Sequence, residues 1–180
     1  MPYLTAAVVL VAVACAANLL LTFGVIRRLR AGTPEAAGPS GFPMAPQLAV
    51  GAEIPAFTAT STDGQEITLD GLLGRPTLVG LFSTACDTCR DQAPEFVAHA
   101  TSAHGDDRNV IALVQGPAED AGDLIAALGG AARVIVEPLD GPFSKAFQAR
   151  TFPTVYELGV DGRVAHAQLG VGRLPAPVGA

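Results

Sequence analysis

The chain of 180 residues is long enough for one domain and an appendage, and its positive mean hydropathy is unusual for a soluble domain. Residues 48–180 carry eight Lys and Arg against sixteen Asp and Glu, a net charge of −8. They contain no basic stripe that could follow a phosphate backbone, so the composition argues against a nucleic-acid-binding protein.

The apolar residues are concentrated at the start of the chain. Residues 4–26 include no charged side chain. As a helix that rises about 1.5 Å per residue, this run spans roughly 34 Å, which exceeds a hydrocarbon core of about 30 Å. We therefore predict a single-pass membrane anchor with a basic flank at residues 1–30, rather than a buried core helix, and Cys15 lies within it.

The anchor is predicted to be retained. A cleaved signal peptide begins with basic residues, which residues 1–3 lack, and the apolar run extends well past the small residues where a peptidase could cut. Three arginines follow the run, and the positive-inside bias places this end of the anchor in the cytoplasm: Arg27, Arg28 and Arg30.

The next segment has the composition of a linker. Residues 31–47 contain four prolines and three glycines, so they favour neither a helix nor a packed core. Extended at about 3.1 Å per residue, the segment reaches about 50 Å. The folded domain is predicted at residues 48–180.

Strand and helix patterns alternate within this domain. We predict strands at 56–60, 66–69, 77–82, 110–114, 133–136, 155–158 and 164–169, with helices at 87–103, 119–128 and 143–149. The first two strands and the last two flank hairpin turns. This order indicates an α/β domain with a mixed central sheet.

Cys86 and Cys89 lie where a buried strand is predicted to give way to a helix. Their spacing places both sulfur atoms on one side of the first helical turn. Free N–H groups and the helix dipole, worth about 0.3–2 kcal/mol, stabilise a thiolate on the first cysteine. We therefore predict that Cys86 attacks and that Cys89 resolves the mixed disulfide.

A zinc site and a structural disulfide are weaker interpretations of the cysteine pair. A structural zinc site needs four ligands, whereas the chain has three cysteines, one of them in the predicted anchor. The three histidines lack ligand spacing and are expected at the surface: His99, His104 and His166. A purely structural disulfide would close too little chain to stabilise the fold much. We predict neither a metal nor a cofactor.

The sequence around the cysteines resembles the TlpA/ResA branch of the thioredoxin-like proteins. The similarity lies in residues 78–90 (LVGLFSTACDTCR), in Pro94-Glu95-Phe96, in Thr151-Phe152-Pro153-Thr154 and in the turn at 161–163. It covers about residues 48–170. The anchor, the linker and residues 51–57 also resemble the accessory thioredoxin of methylamine dehydrogenase maturation, MauD.

The resemblance implies a thioredoxin-like fold with a cis peptide bond before Pro153, packed beside the cysteines. It also implies that the Phe152 backbone pairs with a substrate strand, with Thr154 and Ala85 as further substrate-binding residues. From the sequence alone, a proline that opens or edges a strand is the alternative for Pro153.

Several positions depart from the family pattern. Ala85 replaces the usual aromatic residue, Gly80 replaces the buried acid of thioredoxin, and Gln92 replaces the active-site glutamate of ResA-like proteins. Proton transfer to Cys89 must therefore use water or another group. Residues 170–180 cannot form the closing helix of the fold, so one sheet face is expected to be partly uncovered or covered by a partner.

The resemblance implies a thiol–disulfide oxidoreductase, by analogy a reductase, that acts on a protein dithiol or disulfide and receives electrons from an upstream thiol donor, which could be a membrane protein. One alternative is a peroxiredoxin-like antioxidant of the alkyl hydroperoxide reductase type. Val79 and Ser83 disfavour it, because proline and threonine usually precede a peroxidatic cysteine. A non-catalytic binding module is disfavoured by the intact cysteines.

The side of the membrane is a separate question. Anchored relatives generally work outside the cytoplasmic membrane, where disulfides persist. The three arginines favour the opposite orientation. We expect an extracytoplasmic domain.

Overall fold

The computed structural model describes Cys15 and residues 47–102 and 108–172. The predicted anchor, apart from an exposed Cys15, and nearly all of the predicted linker lie outside these residues. Within the described part of the chain, every helix is too short or too polar to cross a bilayer.

A short hairpin opens the domain, formed by β1 (Thr58–Thr60) and β2 (Glu66–Thr68). The strands that follow form one five-stranded sheet: β3 (Thr77–Ser83), β4 (Asn109–Gln115), β5 (Arg133–Glu137), β6 (Thr154–Leu158) and β7 (Val164–Leu169). The spatial order is β5-β4-β3-β6-β7. β3, β4 and β5 are parallel, whereas β6 and β7 run antiparallel to their neighbours. The predicted mixed sheet is confirmed.

Three α-helices pack on this sheet: α1 (Asp87–Ser102), α2 (Gly122–Leu128) and α3 (Pro142–Ala146). Two predicted helices are shorter than expected. The start of the second is a 3₁₀ turn at Ala118–Asp120. The third ends early because Gln148 has a positive φ of 48°, a backbone conformation that terminates a helix.

Two apolar layers lie on opposite faces of the sheet. In β3 every residue is buried, and alternate side chains enter different layers. Val79 and Leu81 face the layer that holds the hairpin and α3, whereas Leu78 and Phe82 face the layer that holds α1 and α2. β3 therefore lies in the centre of the core, and its carboxyl end delivers the cysteine pair to the domain surface.

The segment that follows β7 contributes to the core of the domain. Val171 is 1% exposed and belongs to the same apolar cluster as Phe96 and Leu124. The segment after β7 therefore contributes one buried side chain to this layer, and the expectation of a partly uncovered face stays a prediction.

The two described histidines are only partly exposed. His99 and His166 are half-buried, and the Nε2 atom of His99 lies 3.8 Å from the buried carboxylate of Glu157. Burial, followed by the nearby Arg108, lowers the pKa of His99, whereas burial raises the pKa of Glu157. His104 lies outside the described residues.

Candidate active site

The junction between β3 and α1 places Cys86 at the edge of the domain. After Ser83 the chain turns, and the N–H of Cys86 donates to the Ser83 carbonyl oxygen at 3.2 Å. The N–H of Ala85 donates to Ser83 Oγ at 3.3 Å. α1 then begins at Asp87, so Cys86 directly precedes the helix as predicted.

The Cys86 sulfur is half-buried between two backbone groups. The N–H of Cys89 donates to it at 3.2 Å, and its own thiol faces the carbonyl oxygen of Phe152 at 3.8 Å. A backbone N–H aimed at sulfur from the first turn of a helix is the arrangement that stabilises a thiolate. Cys86 thus combines partial access to solvent with a backbone N–H donor aimed at its sulfur.

Cys89 has the opposite surroundings. It is fully buried, in the apolar cluster that also contains Ala93 and Phe96. Burial raises the pKa of the Cys89 thiol, and its hydrogen bond with Cys86 raises it further. Cys89 is therefore protonated at neutral pH. This asymmetry agrees with the order of attack that the sequence predicts.

The buried thiol predicts a pH dependence of stability in the reduced protein. Because folding raises its pKa, the folded state keeps a proton that the unfolded chain loses above about pH 8.5. The free energy of unfolding should not depend on this thiol below that pH and should fall above it, by about 2 kcal/mol at pH 10, because deprotonation then favours the unfolded chain. Urea unfolding in the presence of reductant measures this. Cys89→Ala should lose the dependence, and parallel curves for the two proteins would exclude it.

The loop before β6 faces the cysteines. The Phe152–Pro153 peptide bond is cis, as the family resemblance implies, and Pro153 is buried. Gln115 supports the loop from the end of β4, because its Nε2 donates to the Ala149 carbonyl oxygen at 3.2 Å. This contact of Gln115 was not predicted from the sequence. The one indication in the sequence is that a polar residue ends a mostly apolar strand.

The three predicted substrate-binding residues differ in access. Ala85 is exposed beside Cys86, and Phe152 is half-buried. Thr154 is only 1% exposed, and its hydroxyl donates to the Thr151 carbonyl oxygen at 2.7 Å. The Thr154 hydroxyl is therefore engaged inside the loop, and a substrate-binding role of Thr154 stays a prediction.

Arg90 organises the turn on the other side of Cys86. Its guanidinium donates to the carbonyl oxygen of Thr84 at 2.7 Å and to the exposed carboxylate of Asp87 at 3.1 Å. The ion pair is exposed and contributes little energy, but the bond to Thr84 holds the backbone just before the cysteine. Arg90 thus pairs with the Asp87 charge and also orders the turn.

The two thiols lie apart from any cluster of metal-ligating side chains. Among residues 47–102 and 108–172, no three His, Cys, Asp or Glu side chains are grouped closely enough to hold a metal ion. The hydrogen bonds of the Cys86 sulfur are with the backbone of Cys89 and Phe152, and the Cys89 thiol is buried in an apolar cluster.

Comparison with known proteins places this geometry in context. None of the curated protein sequences compared with the chain matches it. Among solved structures, a protein described as a putative thiol:disulfide interchange protein DsbE from Chlorobium tepidum is similar, with a TM-score of 0.59, 18% identity, and 69% of this chain and 87% of that chain covered.

Two further structures share the fold. The thioredoxin domain of a thiol-disulfide oxidoreductase from Bacteroides vulgatus has a TM-score of 0.59 at 18% identity, covering 69% of this chain and 91% of its own. StoA from Bacillus subtilis has a TM-score of 0.54 at 18% identity, covering 66% and 90%. The family model described as Redoxin matches residues 49–177. The chain belongs to the Redoxin family.

Proposed function

We propose that this chain is a membrane-anchored thiol–disulfide oxidoreductase that reduces disulfides in a protein partner through Cys86 and Cys89. One observation carries the proposal: the half-buried Cys86 sulfur accepts the N–H of Cys89 and lies 3.8 Å from the Phe152 carbonyl oxygen, while Cys89 is buried. Membership of the Redoxin family supports thiol–disulfide chemistry. Two similar structures are named for the same activity.

The reaction takes place in two exchanges. The Cys86 thiolate attacks one sulfur of the substrate disulfide, that S–S bond breaks, and the leaving thiolate takes a proton. Cys89 then loses its proton and attacks Cys86, which releases the second substrate thiol and leaves a Cys86–Cys89 disulfide. Two electrons move to the substrate, so an upstream thiol donor must reduce the pair again, and no cofactor is required.

The surroundings of Cys86 favour a polypeptide substrate. An extended segment can pair with the Phe152 backbone, in the way a strand is added to an exposed edge. Ala85 is small and exposed beside the sulfur, which leaves room for the substrate chain. Specificity would then come from backbone pairing more than from a side-chain pocket.

Peroxide is expected to be a poor substrate. Ser83 and Val79 stand where a peroxidatic site usually has threonine and proline, and Val79 is fully buried in β3. Stopped-flow measurement of thiol loss should show slow, non-saturating oxidation by hydrogen peroxide and faster exchange with a protein disulfide. Rapid, saturating consumption of peroxide would instead favour the peroxiredoxin-like alternative.

The proposed location is the cell membrane, with one pass at residues 4–26 and an extracytoplasmic domain. The uncharged length of this run and the need for protein disulfides support it, whereas the flanking arginines oppose it. A cysteine introduced into residues 31–47 tests the orientation, in a chain whose three native cysteines are replaced. Labelling by a membrane-impermeant maleimide in intact cells is the expected result, and labelling only after lysis would reverse the assignment.

A further inference from the structure

Gln92 makes a contact that links distant parts of the domain. It lies on α1, one turn after Cys89, and its Oε1 accepts a hydrogen bond from the backbone N–H of Val171 at 2.7 Å. The bond attaches α1 to residues 170–172, the exit segment that follows β7. The disulfide chemistry described above makes no use of this side chain.

The exit segment is also bonded to the loop that faces the cysteines. The N–H of Gly170 donates to the Pro153 carbonyl oxygen at 2.9 Å. Gly170 has a φ of 72°, a conformation that glycine adopts without a steric penalty. Phe152 is the covalent neighbour of Pro153, and its carbonyl oxygen lies 3.8 Å from Cys86 Sγ. A short path of hydrogen bonds and backbone therefore connects Gln92 to the site.

A second glutamine holds the exit segment in its turn. Gln168 Nε2 donates to the carbonyl oxygens of Gly170 at 3.1 Å and Gly172 at 3.0 Å. Val171, between these two glycines, is 1% exposed and shares the apolar cluster of Cys89. The Val171 N–H belongs to this buried residue, so loss of its acceptor would leave a poorly solvated donor.

We infer that Gln92 is a positioning residue for the substrate disulfide. By accepting the Val171 N–H, it fixes the exit segment, and through Gly170 it fixes the Phe152–Pro153 backbone on which an extended substrate segment pairs. The inference rests on the proposed function. The role needs an acceptor oxygen and no ionisable group.

The test uses the full-length chain in detergent and a protein disulfide as substrate. Gln92→Met keeps the side-chain length and helix preference but removes the acceptor. Its KM should rise about fivefold to tenfold, the effect of one lost hydrogen bond, with kcat little changed. Iodoacetamide should alkylate Cys86 at the wild-type rate, because a small reagent does not pair with the loop. Gln92→Glu restores an acceptor oxygen and should restore KM.

Two further variants sharpen the result. Glu95→Gln alters an exposed residue on the same helix and should change neither KM nor alkylation. Gln168→Met frees the exit segment while Gln92 remains, and it should raise KM as Gln92→Met does. An unchanged KM in Gln92→Met, with or without a lower melting temperature, overturns the positioning role. An equal rise in Gln92→Glu also overturns it.

The same assay separates this inference from the function on which it rests. A wild-type chain that does not reduce the protein disulfide would overturn the proposed function itself. A wild-type chain that turns over, with a KM that does not respond at Gln92, would overturn the positioning role alone.

Discussion

Replacing Cys89 by Ser should convert the protein into a trap for its partner. Cys86 keeps its exposure and the backbone N–H aimed at its sulfur, so attack on a substrate disulfide should proceed. The resolving thiol is gone, and the mixed disulfide should therefore accumulate. Steady-state reduction of a protein disulfide should fall by at least about a hundredfold, the loss expected when a covalent intermediate cannot be resolved. Non-reducing gels and mass spectrometry of the adducts measure both effects.

The matched variant is Cys86→Ser, which should abolish turnover and trap nothing. Cys89 is 0% exposed, and burial raises the pKa of its thiol, so it should not attack a substrate in place of Cys86. Both variants should carry Cys15→Ala, because that residue is a third free thiol. Adducts of the same kind from both variants would mean that the order of attack is wrong.

Local patterns in the sequence were sufficient for the central elements. Residues 78–82 are apolar because β3 is buried on both faces. The predicted strand and helix around the cysteines differ from β3 and α1 by one residue each. The family resemblance also implied that Pro153 lies beside the cysteines. These features depend on neighbouring residues or on a motif that the family resemblance carries.

Contacts between distant residues were not predictable in the same way. Gln92 and Val171 are separated by 79 positions, and no local pattern in the sequence indicates that they are in contact. The sequence identified residues 170–180 as unable to form a helix, but it could not reveal that one valine would be buried there. The burial of Thr154 and His99 likewise depends on how the layers pack, which a single sequence does not encode in any local signal.

Gly80 is the departure from the family pattern with the largest expected structural effect. It lies in the middle of β3, where thioredoxin carries its buried acid. A Cβ atom at this position would lie 2.6 Å from a ring carbon of Phe82 and 2.7 Å from one of Phe96. The two rings pack edge to face at 5.4 Å between centroids, so the space that the acid would need is already filled. The packing of the two rings therefore leaves no room for an acidic side chain at this position.

We expect Gly80→Ala to destabilise the domain by about 1–3 kcal/mol, because overpacking of a close-packed core costs this much. Gly80→Asp should cost more, since it adds a buried carboxyl group beside two aromatic rings. Urea unfolding of the full-length chain measures both. Gly122→Ala is the control, because its Cβ would meet no atom within 4 Å and should change stability by less than about 1 kcal/mol.

The position of the clash can be tested directly. In a Phe96→Leu background the penalty of Gly80→Ala should shrink, with a coupling of about 0.5–3 kcal/mol between the two sites. Equal penalties in both backgrounds would show that the Phe96 ring is not the obstacle. Because the two rings exclude the acid from β3, the Gly80→Asp variant should not gain disulfide reductase activity even where it remains folded. The proton of Cys89 must then leave by another route, and the half-buried side of Cys86, where solvent reaches the pair, is the route that this packing leaves open.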